Sequence, residues 1–175
     1  IKYAIIKKRK DDFEMKKIVI LRGLPASGKS TFVKNNHLHD YVLSMDILRK
    51  MFCAPISIDG GKYFHISQDY NKQVAEMFMT LLKARLANGS FTVVDNTNLS
   101  AMGFNEIIDL AKSHGFEILV VDFNTPVNEC IERDKLRTFA VGESVIRKMA
   151  SYKKVEFENT IDSNDKGSFN KFLNK

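Results

Sequence analysis

The chain has 175 residues, a net charge of +6, 44% hydrophobic and 27% charged residues, and only two cysteines. That length suits one α/β domain with a full core, and the composition excludes disordered and fibrous classes. No apolar run approaches the roughly 18 residues of a membrane helix, no secretory signal is visible, and Cys53 and Cys130 lack metal or redox spacing, so a cytoplasmic chain with reduced thiols is expected.

Residues 1–14 carry the basic run Lys7-Lys8-Arg9-Lys10 followed by Asp11-Asp12 and read as an N-terminal extension or linker. The globular domain is expected over 15–158. Lys17-Ile18-Val19-Ile20-Leu21 predicts a short buried strand, and Ser30 to Asn36 the opening of a helix. Between them Gly23-Leu24-Pro25-Ala26-Ser27-Gly28-Lys29-Ser30 fits G-x-x-x-x-G-K-[ST], the phosphate-cradling Walker A loop. Glycines let backbone N–H groups approach phosphate, and the helix adds a positive N-terminal dipole. Gly23, Pro25, Ala26, Ser27, Gly28, Lys29, Ser30 and Thr31 are therefore expected to bind the nucleotide. Lys29 is suited to the β- and γ-phosphates, and the Ser30 hydroxyl to Mg²⁺ or Mn²⁺.

Tyr41 to Ser44 predicts a second strand, running into a short helix from Asp46 to Phe52. Cys53 to Ile66, with Pro55 and Gly60-Gly61, reads as a flexible loop. Ser67 is expected to cap a long helix to Ala87 that buries Val74, Met77, Phe78, Leu81, Leu82 and Leu86. Phe91 to Val94 predicts a third strand, closing in Asp95-Asn96-Thr97-Asn98, and Ser100 to His114 a helix stopped by Gly115. Phe116 to Asp122 is nearly all apolar, as a strand covered on both faces should be. Thr125-Pro126 starts a helix bearing Glu129, Arg133 and Arg137, Gly142 marks a break, and a last helix is expected from Val145 to about Phe157. Residues 159–175 are polar and read as a C-terminal tail or linker.

Alternating strands and helices predict a three-layer P-loop NTPase-type α/β fold, with a central parallel sheet of four to five strands, helices on both faces and a helical lid. Ligands in such sheets sit at the carboxyl ends of the strands. The Walker A loop, Asp46, Asp95 and Asp122 each follow a strand and are expected along one edge. Asp46 is placed to take a proton from an attacking hydroxyl, or is a plain helix N-cap. Arg49, one helical turn on, is placed to grip an acceptor phosphate, or is a surface charge. Arg133 and Arg137, spaced i and i+4, are placed to spread γ-phosphate charge from a lid, or to pair with Glu129 and Glu132 on a solvated face. Asp95 either positions Mg²⁺ or orients its neighbours on the acceptor side. Asp122 is assigned to structure.

The constellation resembles the phage-type polynucleotide 5′-hydroxyl kinase domain, the P-loop kinase of nucleic-acid end-healing enzymes. The resemblance covers roughly residues 15–155. It is carried by Gly23–Ser30, Ser44-Met45-Asp46 with Arg49, Val94-Asp95-Asn96-Thr97-Asn98-Leu99, and Arg133-x-x-x-Arg137 followed by Ala140-Val141 and Val145–Met149. It implies Mg²⁺-dependent transfer from ATP or GTP to a 5′-hydroxyl end of RNA or DNA. Asp46 would be general base, Arg49 the acceptor-phosphate ligand and Arg137 a donor-phosphate ligand. No membrane partner is expected, and a ligase or phosphatase domain is a natural companion outside this chain. Departures are the extra Asn96, Gly142 where the family usually has proline, and the 53–66 loop, which lacks a clear counterpart. Asp122-Phe123-Asn124-Thr125 lacks the second Asp of a phosphatase motif. A small-molecule or nucleotide-sugar kinase (zeta-toxin-like) and a non-catalytic nucleotide-switched module are the alternatives. A basic groove of Arg49, Lys50, Lys62, Lys72, Arg147, Lys148, Lys153 and Lys154 would favour nucleic acid.

Overall fold

A computed structural model describes residues 16–61 and 63–174. The expected extension 1–14, with its basic run, and Lys62 of the expected groove lie outside the described residues. Strands β1 (Lys17–Gly23), β2 (Val42–Leu43), β5 (Thr92–Asp95), β6 (Glu117–Phe123) and β7 (Thr160–Asp162) form one parallel sheet in the order β2-β5-β1-β6-β7. Helices α1 (Lys29–Asn35), α2 (Met45–Phe52), α3 (Asn71–Ala87), α4 (Ala101–Ser113), α5 (Val127–Lys135), α6 (Glu143–Ala150) and α7 (Lys166–Asn174) follow or connect these strands.

The centres of β1, β5 and β6 are apolar because both faces are covered. Side chains of a strand alternate between faces, and β1 divides accordingly. Ile18 and Ile20 join Val94, Val120 and the buried faces of α3 and α4, including Phe78, Leu82, Phe104 and Ile108. Val19 and Leu21 join Val93, Leu119, Val121 and Phe123 on the other face, against Phe32 and Val33 of α1 and Phe169 and Phe172 of α7. A third cluster of Leu24, Leu99, Cys130, Ile131 and Ile146 seats α5 and α6 on the rim beside the Walker A loop.

Five local expectations are corrected. The polar C-terminal stretch is not a tail: β7 pairs with β6, and the Phe169 ring packs 4.8 Å from Phe32. Residues 53–66 contain an antiparallel hairpin, β3 (Ile56–Ile58) and β4 (Tyr63–His65). Helix α3 begins at Asn71, because Ser67 turns its hydroxyl onto Asp69 instead of capping. Met77 and Leu81 are exposed; the Val74, Phe78, Leu82, Leu86 stripe, with Met79 beside it, packs against the sheet. The last predicted helix stops at Ala150, short of Phe157.

Candidate active site

The Walker A loop runs from β1 into α1 and needs its glycines for two different reasons. A Cβ on Gly23 would stand 2.8 Å from both the Phe123 Cβ and the Ser27 Oγ, so only glycine fits that close approach. Gly28, at φ +105, has the left-handed backbone that glycine tolerates. Thr125 donates its hydroxyl to the Ser27 carbonyl at 2.9 Å, fastening the loop to the start of α5. Lys29 folds back into the loop, with its ammonium donating to the carbonyls of Gly23 at 2.8 Å and Leu24 at 2.7 Å. Burial lowers its pKa from 10.5 to about 8, against the opposing pull of the Asp95 carboxylate. Asp95 itself is pushed upward by burial, with Lys29 pulling it back.

One cleft of about 1490 Å³ is lined by Pro25 to Phe32, Asp46, Arg49, Asp95, Arg133 and Arg137. The expected site residues from Pro25 to Thr31 and on these later elements therefore meet along one edge. Gly23 lies beneath it, buried at the end of β1. Asp122 does not share that edge. It sits beside Arg22 in the sheet and clamps that buried guanidinium at 2.6 and 3.1 Å.

Asp46 is not a helix cap. The Ser44 hydroxyl caps α2 by accepting from the Asp46 N–H at 3.3 Å, leaving the Asp46 carboxylate for the cleft. Its side chain is 63% exposed, whereas Arg49, bonded to it at 2.6 Å, is 17% exposed. Arg49 also donates to the Asn71 side chain at 2.9 Å, so its guanidinium is held from two sides. The whole helix is set by β5: the Met45 N–H donates to the Asn96 side chain at 2.8 Å. Asn98 donates to the Leu21 carbonyl at 2.7 Å, and Gly23 donates to the Thr97 carbonyl at 3.0 Å. Thus the Asp95–Asn98 segment joins the donor loop to the acid-bearing helix.

Arg133 and Arg137 do not share a helix face, because α5 ends at Lys135 and Arg137 sits in the turn beyond. Arg133 pairs with Glu129. Arg137 pairs with Asp134, whose side chain is only 3% exposed. The other Asp134 oxygen accepts from the N–H groups of Val141 and Gly142 at 3.0 and 2.9 Å. Asp134 therefore pins the turn that presents Arg137 and opens α6. Gly142 has φ +92, a conformation closed to the proline usual at this place in the resembled family.

Among the described residues of the expected basic groove, only Arg49 and Lys50 line the cleft. Arg147 pairs with Glu143, and Lys154 reaches Asn124 and Asp122. Asp134, Asn96 and Asn71 escaped sequence reasoning because their roles depend on partners distant in sequence or beyond a turn. The S-M-D order around Asp46 was the one local signal for a Ser44 cap. For a divalent cation, the exposed Ser30 hydroxyl and the nearby Asp95 carboxylate are hard oxygen donors of the kind Mg²⁺ takes, so the residues fit it.

Residues 18–155 match the AAA domain family. The chain belongs to that family. It is 24% identical over 175 aligned residues to an L-seryl-tRNA(Sec) kinase of Methanococcus maripaludis, covering 90% of this chain and 64% of the relative. Among solved structures it is similar to a chain of the Pnkp1/Rnl/Hen1 RNA repair complex, with TM-score 0.62 and 24% identity over 82% of this chain and 46% of that one. It is also similar to the Mycobacterium tuberculosis APS kinase CysC in complex with AMPPNP and APS, with TM-score 0.54 and 18% identity over 91% of this chain and 98% of that one. The chain thus spans less than two thirds of the seryl-tRNA kinase and under half of the RNA repair protein. The fold is that of a P-loop kinase, a phosphotransferase class that generally uses ATP and Mg²⁺.

Proposed function

We propose that the protein transfers the γ-phosphoryl group of ATP or GTP to the 5′-hydroxyl end of RNA or DNA. The observation that carries this reading is the Asp46–Arg49 pair, uncommitted to capping and set across one continuous cleft from the Walker A loop. The same cleft of about 1490 Å³ takes in both the Walker A loop and this pair, so a donor and an acceptor can lie in one continuous space. The likeness to an RNA repair protein supports the same acceptor class.

Asp46 accepts the proton of the attacking hydroxyl. Arg49, held by Asn71, grips an acceptor phosphate and fixes the line of attack. As the acceptor O–P bond forms, the bond from the γ-phosphorus to the β,γ-bridging oxygen breaks and the nucleoside diphosphate departs. Lys29 leaves its loop carbonyls for the β- and γ-phosphates. Arg137, oriented by Asp134, and Arg133 meet the transferring group from the lid side. Mg²⁺ or Mn²⁺, held through Ser30, supplies further positive charge to the phosphate oxygens when bound.

A second reading is phosphorylation of a hydroxyl carried by an aminoacyl-tRNA, favoured by the 24% identity to the seryl-tRNA(Sec) kinase. The test offers γ-labelled ATP with 5′-hydroxyl RNA, 5′-hydroxyl DNA, seryl-tRNA and a metabolite panel. Label is expected on the polynucleotide 5′ ends; label reaching none of them refutes the first reading. Asp46→Ala is expected to abolish transfer while triphosphate affinity stays within about twofold. Near-wild-type turnover of that variant would exclude Asp46 as the base.

A further inference from the structure

The cleft is walled in part by an aromatic pair that the transfer chemistry does not use. Phe64 comes from β4 of the hairpin and Phe139 from the turn after α5, and both half-buried rings line the cleft. Their centroids lie 5.8 Å apart with the planes tilted by 39°. The Phe64 N–H donates to the Thr138 carbonyl at 2.9 Å, so the hairpin is bonded to the turn that carries Phe139 and Arg137. Lys50, on the same helix as Asp46 and Arg49, places its ammonium 4.1 Å from the Phe139 centroid. Arg49 and Lys50 are thus adjacent cations, one beside the acid and the other beside the rings.

An aromatic wall next to a cation is the chemistry that holds a single-stranded nucleotide: a ring takes the base, and the cation takes the backbone. We propose that Phe64 and Phe139 form a stacking seat for the base of the acceptor's 5′-terminal nucleotide, with Lys50 beside the adjoining phosphate. The proposal rests on the polynucleotide reading and makes the 53–66 hairpin an acceptor-selecting element.

The test compares the full chain on two short single-stranded oligonucleotides with 5′-hydroxyl ends. One is intact and the other is abasic at its 5′-terminal position. With the wild-type protein, loss of the base is expected to raise the acceptor KM about tenfold, as loss of one base–aromatic stack does. Phe64→Leu and Phe139→Leu keep an apolar side chain but lose the π-face. Each is expected to raise KM for the intact oligonucleotide several-fold, within that tenfold range, and to leave KM for the abasic one, KM for ATP and kcat unchanged. Equal wild-type KM for the two oligonucleotides overturns the proposal whatever the variants do. So does a loss on both substrates alike, which would mark the rings as a structural tie between hairpin and turn. If the wild-type protein phosphorylates neither oligonucleotide, the polynucleotide reading fails first and the seat fails with it.

Discussion

Triphosphate binding should take up a proton at Lys29. In the free protein its ammonium is buried against the Gly23 and Leu24 carbonyls, and burial lowers its pKa from 10.5 to about 8. A bound triphosphate places several negative charges beside that ammonium and should return its pKa to the ordinary range or above. Below pH 8 the free site is already protonated, and affinity is insensitive to pH. Above it, each binding event must protonate the amine, so affinity should be about half its plateau at pH 8 and about a tenth at pH 9. The full span is of order 3 kcal/mol. The same depression makes the free fold a better place for the neutral amine. The unfolded chain binds more protons between pH 8 and 10.5, so stability of the free protein should rise through that window, where Lys29 alone is concerned. Calorimetric titration of a non-hydrolysable ATP analogue, in buffers of differing ionisation enthalpy at pH 7 and 8.8, reads the uptake directly. Near zero is expected at pH 7 and most of one proton at pH 8.8. A flat affinity to pH 9.5, or an uptake that persists in Lys29→Met, would refute the reasoning.

Three further outcomes follow from the packing. Asp134→Ala removes the acceptor for the Val141 and Gly142 N–H groups and releases Arg137; about 1–3 kcal/mol of stability and about tenfold in kcat should be lost, by thermal melts and steady-state kinetics. Phe169→Ala should cost about 3–5 kcal/mol in denaturant unfolding with KM for ATP unchanged, because its fully buried ring packs on Phe32 below the site; a neutral result would mean α7 is not part of the core. Asp122→Ala leaves the Arg22 guanidinium, 4% exposed, without its counter-ion, and should destabilise by about 3–5 kcal/mol without altering triphosphate affinity.

The parts of the site that were legible in the sequence are those whose geometry is local. Gly23 to Ser30 carries its own turn, and the apolar runs 18–21 and 118–121 announce strands covered on both faces. Asp46 and Arg49 are one helical turn apart wherever α2 lies. What escaped depends on distant partners. β7 is three residues long and gains its identity only by pairing Thr160, Ile161 and Asp162 with Val120, Val121 and Asp122. Helix α7 has few apolar residues, Phe169 and Phe172 one turn apart and buried, with Leu173 packed beside them. The hairpin was masked by its turn, since Gly60 and Gly61 read as looseness. They instead supply positive φ, 66 and 92, after Asp59 at φ 52, between two strands. Arg137 was misplaced because i,i+4 spacing holds only within a helix, and α5 stops at Lys135.

The end of β5 explains why the two halves of the cleft hold a fixed relation. Asp95 faces Lys29 electrostatically, and the next residue, Asn96, accepts from the Met45 N–H immediately before Asp46. Thr97 accepts from Gly23 at the start of the Walker A loop, and Asn98 reaches back to Leu21. Four consecutive side chains or carbonyls thus tie the donor loop, the sheet and the acid-bearing helix to one another. The inserted Asn96 is therefore not slack in the segment: it is the residue that sets the first turn of α2. The Asp134 carboxylate does the same for Arg137 and the start of α6, and Leu24 of the loop packs in the cluster that seats α5 and α6. The Walker A loop, Asp46 and Arg137 therefore all take their positions from segments at the carboxyl edge of the sheet, where ligands bind in open α/β sheets.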